Sequence, residues 1–146
     1  MERCRGKSAI TDALKLVDTF LNDPHQHVFL LLGIYGIGKR DGVRELLNKY
    51  DTRIIEHGYV SGEAEIIRNK IDKFNSSIHL WDDVFASCLL DKKVIKLFNS
   101  LSNNTIEFSG KFILIANDAE FHDKPIPNLP GAWIQVPNKF MDYSKY

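Results

Sequence analysis

Val28-Phe29-Leu30-Leu31-Leu32-Gly33-Ile34-Tyr35-Gly36-Ile37-Gly38-Lys39-Arg40-Asp41 is the stretch that decides the fold. Residues 28–32 form an unbroken apolar run closed by glycine, the pattern of a strand buried on both faces of a parallel sheet. Residues 33–39 then fit the spacing G-x-x-x-x-G-K. Val43, Leu46 and Leu47 follow at helical spacing within residues 41–50. Strand, glycine-rich turn and helix in that order is the setting in which such a loop holds phosphate. Glycines let the backbone turn so that successive N–H groups point at phosphate oxygens. The helix start adds partial positive charge, and Lys39 reaches the outer phosphates. A glycine turn that binds nothing is spelled the same way, so the rest of the chain must decide.

Outward from this stretch, helix-like and strand-like segments alternate. Ile10, Ala13, Leu14, Val17, Phe20 and Leu21 are spaced by three and four. They predict a helix over residues 8–21, with Ser8 as its cap and Asn22-Asp23-Pro24 as its stop. Further helices are predicted over 63–74 and 89–101, and strands over 53–57, 78–81, 111–116 and 133–136. A proline-rich loop covers 125–130, and residues 137–146 show no clear period. There is no internal repeat or low-complexity segment. The expected fold is α/β, a three-layer sandwich with a mostly parallel five-stranded sheet. Right-handed crossovers gather the strand C-terminal ends on one edge, where open α/β sheets bind ligands. A core over residues 1–136 and a tail over 137–146 is the expected division.

Composition bounds the function. The 146 residues are 44% apolar and 26% charged, which suits one ordinary domain. Nineteen basic and nineteen acidic side chains cancel, so bulk charge does not point to nucleic acid or an anionic membrane. Bulk charge does not exclude a local basic groove, so nucleic acid stays open as a partner. Cys4 and Cys88 stand far apart, which excludes a disulfide framework and a cysteine zinc site. No apolar stretch approaches a membrane span. Residues 1–7 lead into no apolar h-region, so no secretory leader is expected and the expected address is cytoplasmic.

Two more strand ends carry chemistry-bearing groups. Ile78-His79-Leu80-Trp81 runs into Asp82 and Asp83, and Phe112-Ile113-Leu114-Ile115-Ala116 runs into Asn117 and Asp118. Adjacent aspartates are common in turns, and Asn-Asp is an ordinary turn signal. Their order after a phosphate loop gives them more weight.

Strand, residues 33–39, helix, strand, helix, Asp82-Asp83, helix and Asn117 together resemble the core of an AAA+ ATPase. They also resemble the superfamily 3 helicases, over roughly residues 8–136. The resemblance makes residues 33–39 a Walker A loop. Gly33, Gly36, Ile37, Gly38, Lys39 and Arg40 then become the nucleotide-binding residues, with ATP and Mg2+ as cofactors. It makes Asp82 the magnesium ligand of a Walker B strand, Asp83 the general base, and Asn117 a sensor that orients the attacking water. It implies the sheet order 5-1-4-3-2, counting strands from residues 28–32. A homo-oligomer or a partner ATPase, and DNA replication or remodelling, are its usual company.

Three features depart from that pattern. A Walker A loop ends in Ser or Thr, whose hydroxyl holds magnesium, but here Arg40 follows Lys39. A guanidinium cannot ligate a cation. Asp83 stands where AAA+ proteins usually carry Glu. No arginine follows Arg68, so neither an arginine finger nor a sensor 2 arginine is spelled, and no lid is expected. A finger is worth about 10³–10⁵ in rate. Two readings follow: a weak or partner-dependent ATPase, or a hydrolysis-deficient structural or regulatory module. A small-molecule kinase is a third class, disfavoured by the same lack of arginine.

Other residues read as ordinary structure. His25 and His27 are expected to be solvated loop residues, His79 a satisfied strand residue, and Cys88 a small core residue. Tyr35 either stacks on a base or partner or merely shields the loop, and His122 lies near the site edge.

Overall fold

The computed structural model of the chain describes residues 1–57 and 63–135. Its strands are β1 (Glu2–Arg5), β2 (Val28–Gly33), β3 (Ile54–His57), β4 (Ile78–Trp81), β5 (Lys111–Asn117) and β6 (Gly131–Gln135). Its helices are α1 (Ala9–Asn22), α2 (Lys39–Leu47), α3 (Ala64–Lys73), α4 (Ala86–Leu89) and α5 (Lys92–Ser102), with a 3-10 turn over Asp118–Phe121. The strands lie in the order β1-β6-β2-β5-β4-β3, and every pairing is parallel. Counted from β2, this is the expected order 5-1-4-3-2. The fold is α/β, consistent with a P-loop NTPase.

The apolar run works as expected. Every residue of β2 is buried, because the strand has neighbours on both edges and helices over both faces. Side chains alternate across the sheet. Val28, Leu30 and Leu32 join Phe112 and Leu114 of β5 in the core under α3, α4 and α5. Phe29 and Leu31 join Ile113 and Ile115 in the core under α1 and α2. Two cores back to back on one sheet fix the register of β2, since a one-residue slip would exchange its faces.

The structure corrects several boundaries. The sheet has six strands rather than five: β1 pairs with β6, Cys4 opposite Ile134. Only Cys4 of its four residues is buried, so the strand leaves no alternating pattern to read. The helix expected over 89–101 is two helices. Asp91 breaks it by accepting hydrogen bonds from the Lys93 and Val94 N–H groups, a side-chain cap that starts α5. Ser8 sits at the N-cap of α1, but its hydroxyl donates to Asp12 and no side-chain cap forms. Helix α2 begins two residues early, at Lys39, straight out of the loop. Val136 and the tail over 137–146 lie outside the described residues. No helix among the described residues is long and apolar enough to cross a membrane.

Gly131 opens β6 opposite Leu30. A Cβ there would land on the Leu30 carbonyl oxygen and within 2.8–2.9 Å of its C and N atoms. Backbone cannot move aside as a side chain can. Gly131→Ala should therefore cost about 3 kcal/mol or more, read as a lowered denaturant midpoint or loss of soluble protein. An ordinary two-state curve with an unchanged midpoint would contradict this packing.

His79 is fully buried against Phe112, with ring centroids 4.5 Å apart. Its Nε2 lies 2.9 Å from the Phe74 carbonyl oxygen, which can only accept, so Nε2 carries the proton. Its Nδ1 must then accept from Nε2 of His57, 2.8 Å away. The pair is satisfied with both rings neutral. Burial, then the neighbouring His79 and Lys70, push His57 down from 6.5 to about 4. Burial lowers His79 as well. Unfolded His57 takes up its proton near 6.5, before the folded residue does. Its contribution to stability is thus complete above about 6.5 and is lost as pH falls toward 4. The melting temperature should drop across that window, and less steeply in His57→Gln. Equal slopes for the two proteins would refute the neutral pair.

Candidate functional site

β2, β4 and β5 end side by side, and their C-terminal ends deliver Gly33, Asp82 and Asn117 to one edge. Between β2 and α2 the chain needs two left-handed residues. Gly36 has φ 86° and Gly38 has φ 88°, conformations that a Cβ would strain. Gly38 is the N-cap of α2, and its carbonyl accepts the Gly42 N–H at 2.9 Å. Ile37 is half-buried, and its Cδ1 would lie 3.3 Å from a Cβ on Gly33. The Ile37 side chain packs against the core beneath the loop and so fastens the loop to the sheet. Tyr35, 78% exposed, stands off the loop.

The Lys39 ammonium folds back over this loop. It donates to the Gly33 carbonyl at 2.8 Å and the Ile34 carbonyl at 2.7 Å, and the residue is buried. Burial lowers its pKa from the ordinary lysine value. The carboxylates of Asp118, Asp82 and Asp83 pull the other way. Asp118, by sequence an ordinary turn residue, does not line the hollow but acts on Lys39 through its charge. The Trp133 indole N–H of β6 donates to its Oδ2 at 3.0 Å, which fixes the acid beside the lysine. A tryptophan fifteen residues away gave no local signal.

Arg40 pairs with Asp82, Nη1 to Oδ2 at 3.3 Å, and its Nε lies 3.8 Å from Asp41. Asp83 follows at φ 58°, the left-handed region that few residues other than glycine enter. This turn re-aims the chain at the strand end, and the Val84 N–H then donates to the Ile115 carbonyl at 2.9 Å. Asn117 Oδ1 accepts the Ala119 N–H at 3.1 Å and so caps the 3-10 turn. That leaves its amide NH₂ as the group it offers the site. Gly36, Lys39, Arg40, Asp82, Asp83 and Asn117 line a common hollow of about 300 Å³.

Of the residues expected from sequence, Gly36, Gly38, Lys39, Arg40, Asp82, Asp83 and Asn117 line this hollow, and Gly33 and Ile37 do not. The donor set nevertheless does not fit the magnesium site that the resemblance implies. The hydroxyl ligand is replaced by a group that only donates, and that group sits on Asp82, the expected carboxylate ligand. Among the described residues, no group of three or more His, Cys, Asp or Glu side chains could hold a metal ion. His122 is exposed beside Asp123 and is not among the residues lining the hollow. His27 is not the solvated residue expected: it is buried, its Nδ1 2.8 Å from the Gly110 carbonyl oxygen. Cys4 and Cys88 are free and buried, and burial pushes the Cys88 thiol up to about 11.

No family model and no curated protein matches this sequence at a significant level. Among solved structures, a Walker-type ATPase of Pyrococcus abyssi is similar over 94% of this chain and 56% of its own, with a TM-score of 0.48 and 14% identity. The chain spans a little over half the length of that protein.

The φ of Asp83 makes a prediction. Asp83→Gly relieves the left-handed conformation and should change stability by less than about 1 kcal/mol, since glycine's greater unfolded-state freedom offsets the relief. Asp83→Val should lose about 1–2 kcal/mol. Chemical denaturation of the two variants checks this, and equal midpoints would contradict the strained turn.

Proposed function

We propose that the chain binds ATP, with the backbone N–H groups of the loop containing Gly33, Gly36, Ile37 and Gly38 and the ammonium of Lys39 holding the phosphates. The observation that carries this is the meeting of Lys39 and its left-handed glycines with Asp82, Asp83 and Asn117 around one hollow. The two carbonyls that hold Lys39 keep its ammonium over the loop. A phosphate oxygen there would meet a charge already stripped of much of its water, which strengthens the attraction.

In this reading Asp83 takes the proton of an attacking water, and the Asn117 amide orients that water or the outer phosphate. Turnover is weak or depends on a partner, because Arg40 stands where the loop's metal-holding hydroxyl would be. The AAA+ or superfamily 3 type, a homo-oligomer or partner ATPase, and a role in DNA replication or remodelling follow the motif order. The Arg40–Asp82 pair favours a second reading, a module that binds nucleotide without hydrolysing it and serves a structural or regulatory role.

A thermal-melt titration tests the proposal. Nucleotide at about 100 times its dissociation constant should add roughly 2.7 kcal/mol, a shift of several degrees. Lys39→Ala should abolish the shift. No shift in folded, nucleotide-free wild-type protein, with or without magnesium, would overturn the proposal. Phosphate release measured on the same samples separates the weak ATPase from the pure binder.

A further inference from the structure

Arg40 occupies the one loop position where the G-x-x-x-x-G-K spelling calls for a hydroxyl, and it is placed rather than idle. It lies on the first turn of α2 beside Lys39, lines the same hollow, and reaches across to Asp82 from the end of β4. We propose that Arg40 replaces the divalent cation of this site, so that the chain binds nucleoside triphosphate free of metal. The inference rests on residues 33–40 being the nucleotide site and specifies what neutralises the phosphates there.

The chemistry is mutually exclusive with a metal at Asp82. A divalent ion on the Asp82 carboxylate would stand within a few ångströms of a permanently charged guanidinium, and the two would repel. The ion would also lack the hydroxyl ligand. The guanidinium needs neither. It presents five N–H donors in a planar fork, enough to keep one on Asp82 while others meet phosphate oxygens. The side chains of Arg40 and Asp82 are 52% and 30% exposed, so the pair is weakly held and can turn toward a phosphate at little cost. Asp82 then acts as a positioning residue, keeping the guanidinium over the hollow until the anion arrives. Lys39 and Arg40, adjacent in the first turn of α2, supply two positive charges to the same hollow.

Isothermal titration of the full chain with ATP, in EDTA and in magnesium chloride, tests this. Wild-type protein should bind in EDTA within about threefold of its affinity in magnesium, and Lys39→Ala should lose binding in both. Arg40→Ser restores the hydroxyl. It should bind at least about tenfold more weakly in EDTA and recover when magnesium is added. Arg40→Lys should bind in EDTA with intermediate affinity, since it keeps the charge without the fork. The exposed position of Arg40 leaves the folding of these variants testable by their melting curves. Wild-type binding that is tenfold or more tighter with magnesium overturns the proposal while sparing the nucleotide site. Undiminished binding by Arg40→Ser in EDTA overturns it too. Absence of ATP binding by wild-type protein in both buffers would overturn the nucleotide site itself, and this inference with it.

Discussion

Two hydrogen bonds from one ammonium hold the site together. Lys39 donates to the Gly33 and Ile34 carbonyls, the two acceptors left over where β2 stops. Gly33, the last residue of β2, is buried, so its carbonyl cannot turn to water cheaply. The ammonium satisfies both carbonyls, and in doing so clamps the start of α2 to the end of β2. Gly36 and Gly38 have their left-handed backbone because a chain this tightly clamped has few other ways to close. Ile37 fastens the same loop from the apolar side. The rest of the edge is arranged around this clamp.

Burial outweighs the surrounding acids at the clamp, so the pKa of Lys39 is lowered on balance. Asp82, Asp83 and Asp118 all raise the pKa of Lys39, while burial lowers it. Arg40 draws Asp82 toward itself, and the Trp133 indole N–H holds Asp118 in place. Each acid is thus restrained by a different kind of partner: a cation, an indole, and for Asp83 a backbone turn.

Much of this was legible in the sequence because burial dictates it. An apolar run flanked by glycine has only a central strand to become, and Val28–Gly33 is one. The loop spacing and the polar ends of β4 and β5 are local patterns, so Lys39, Asp82, Asp83 and Asn117 could be read directly. What escaped depends on contacts between distant residues. Asp118 matters because Trp133 reaches it, and the partner of Arg40, itself legible in the loop, lies 42 positions further on at Asp82. β1 escaped for a different reason. A short edge strand buries one residue in four, and no period can be read from one residue. The break between α4 and α5 escaped because the apolar spacing runs on through Asp91, whose carboxylate caps the second helix.

β1 also sets the order in which the sheet can be completed. Arg5 and Gln135, hydrogen-bonded across the outermost pair, are 130 positions apart in the chain. β2 itself pairs with β5 and β6, never with a strand next to it in sequence. Closing such long loops is entropically costly before any contact repays it, and folding rates fall as contacts become less local. The pairs nearest in sequence, β3 with β4 and β4 with β5, are therefore the natural seed of this sheet. β2 joins it afterwards, and the first residues of the chain are docked last, onto a β6 that must already be in place.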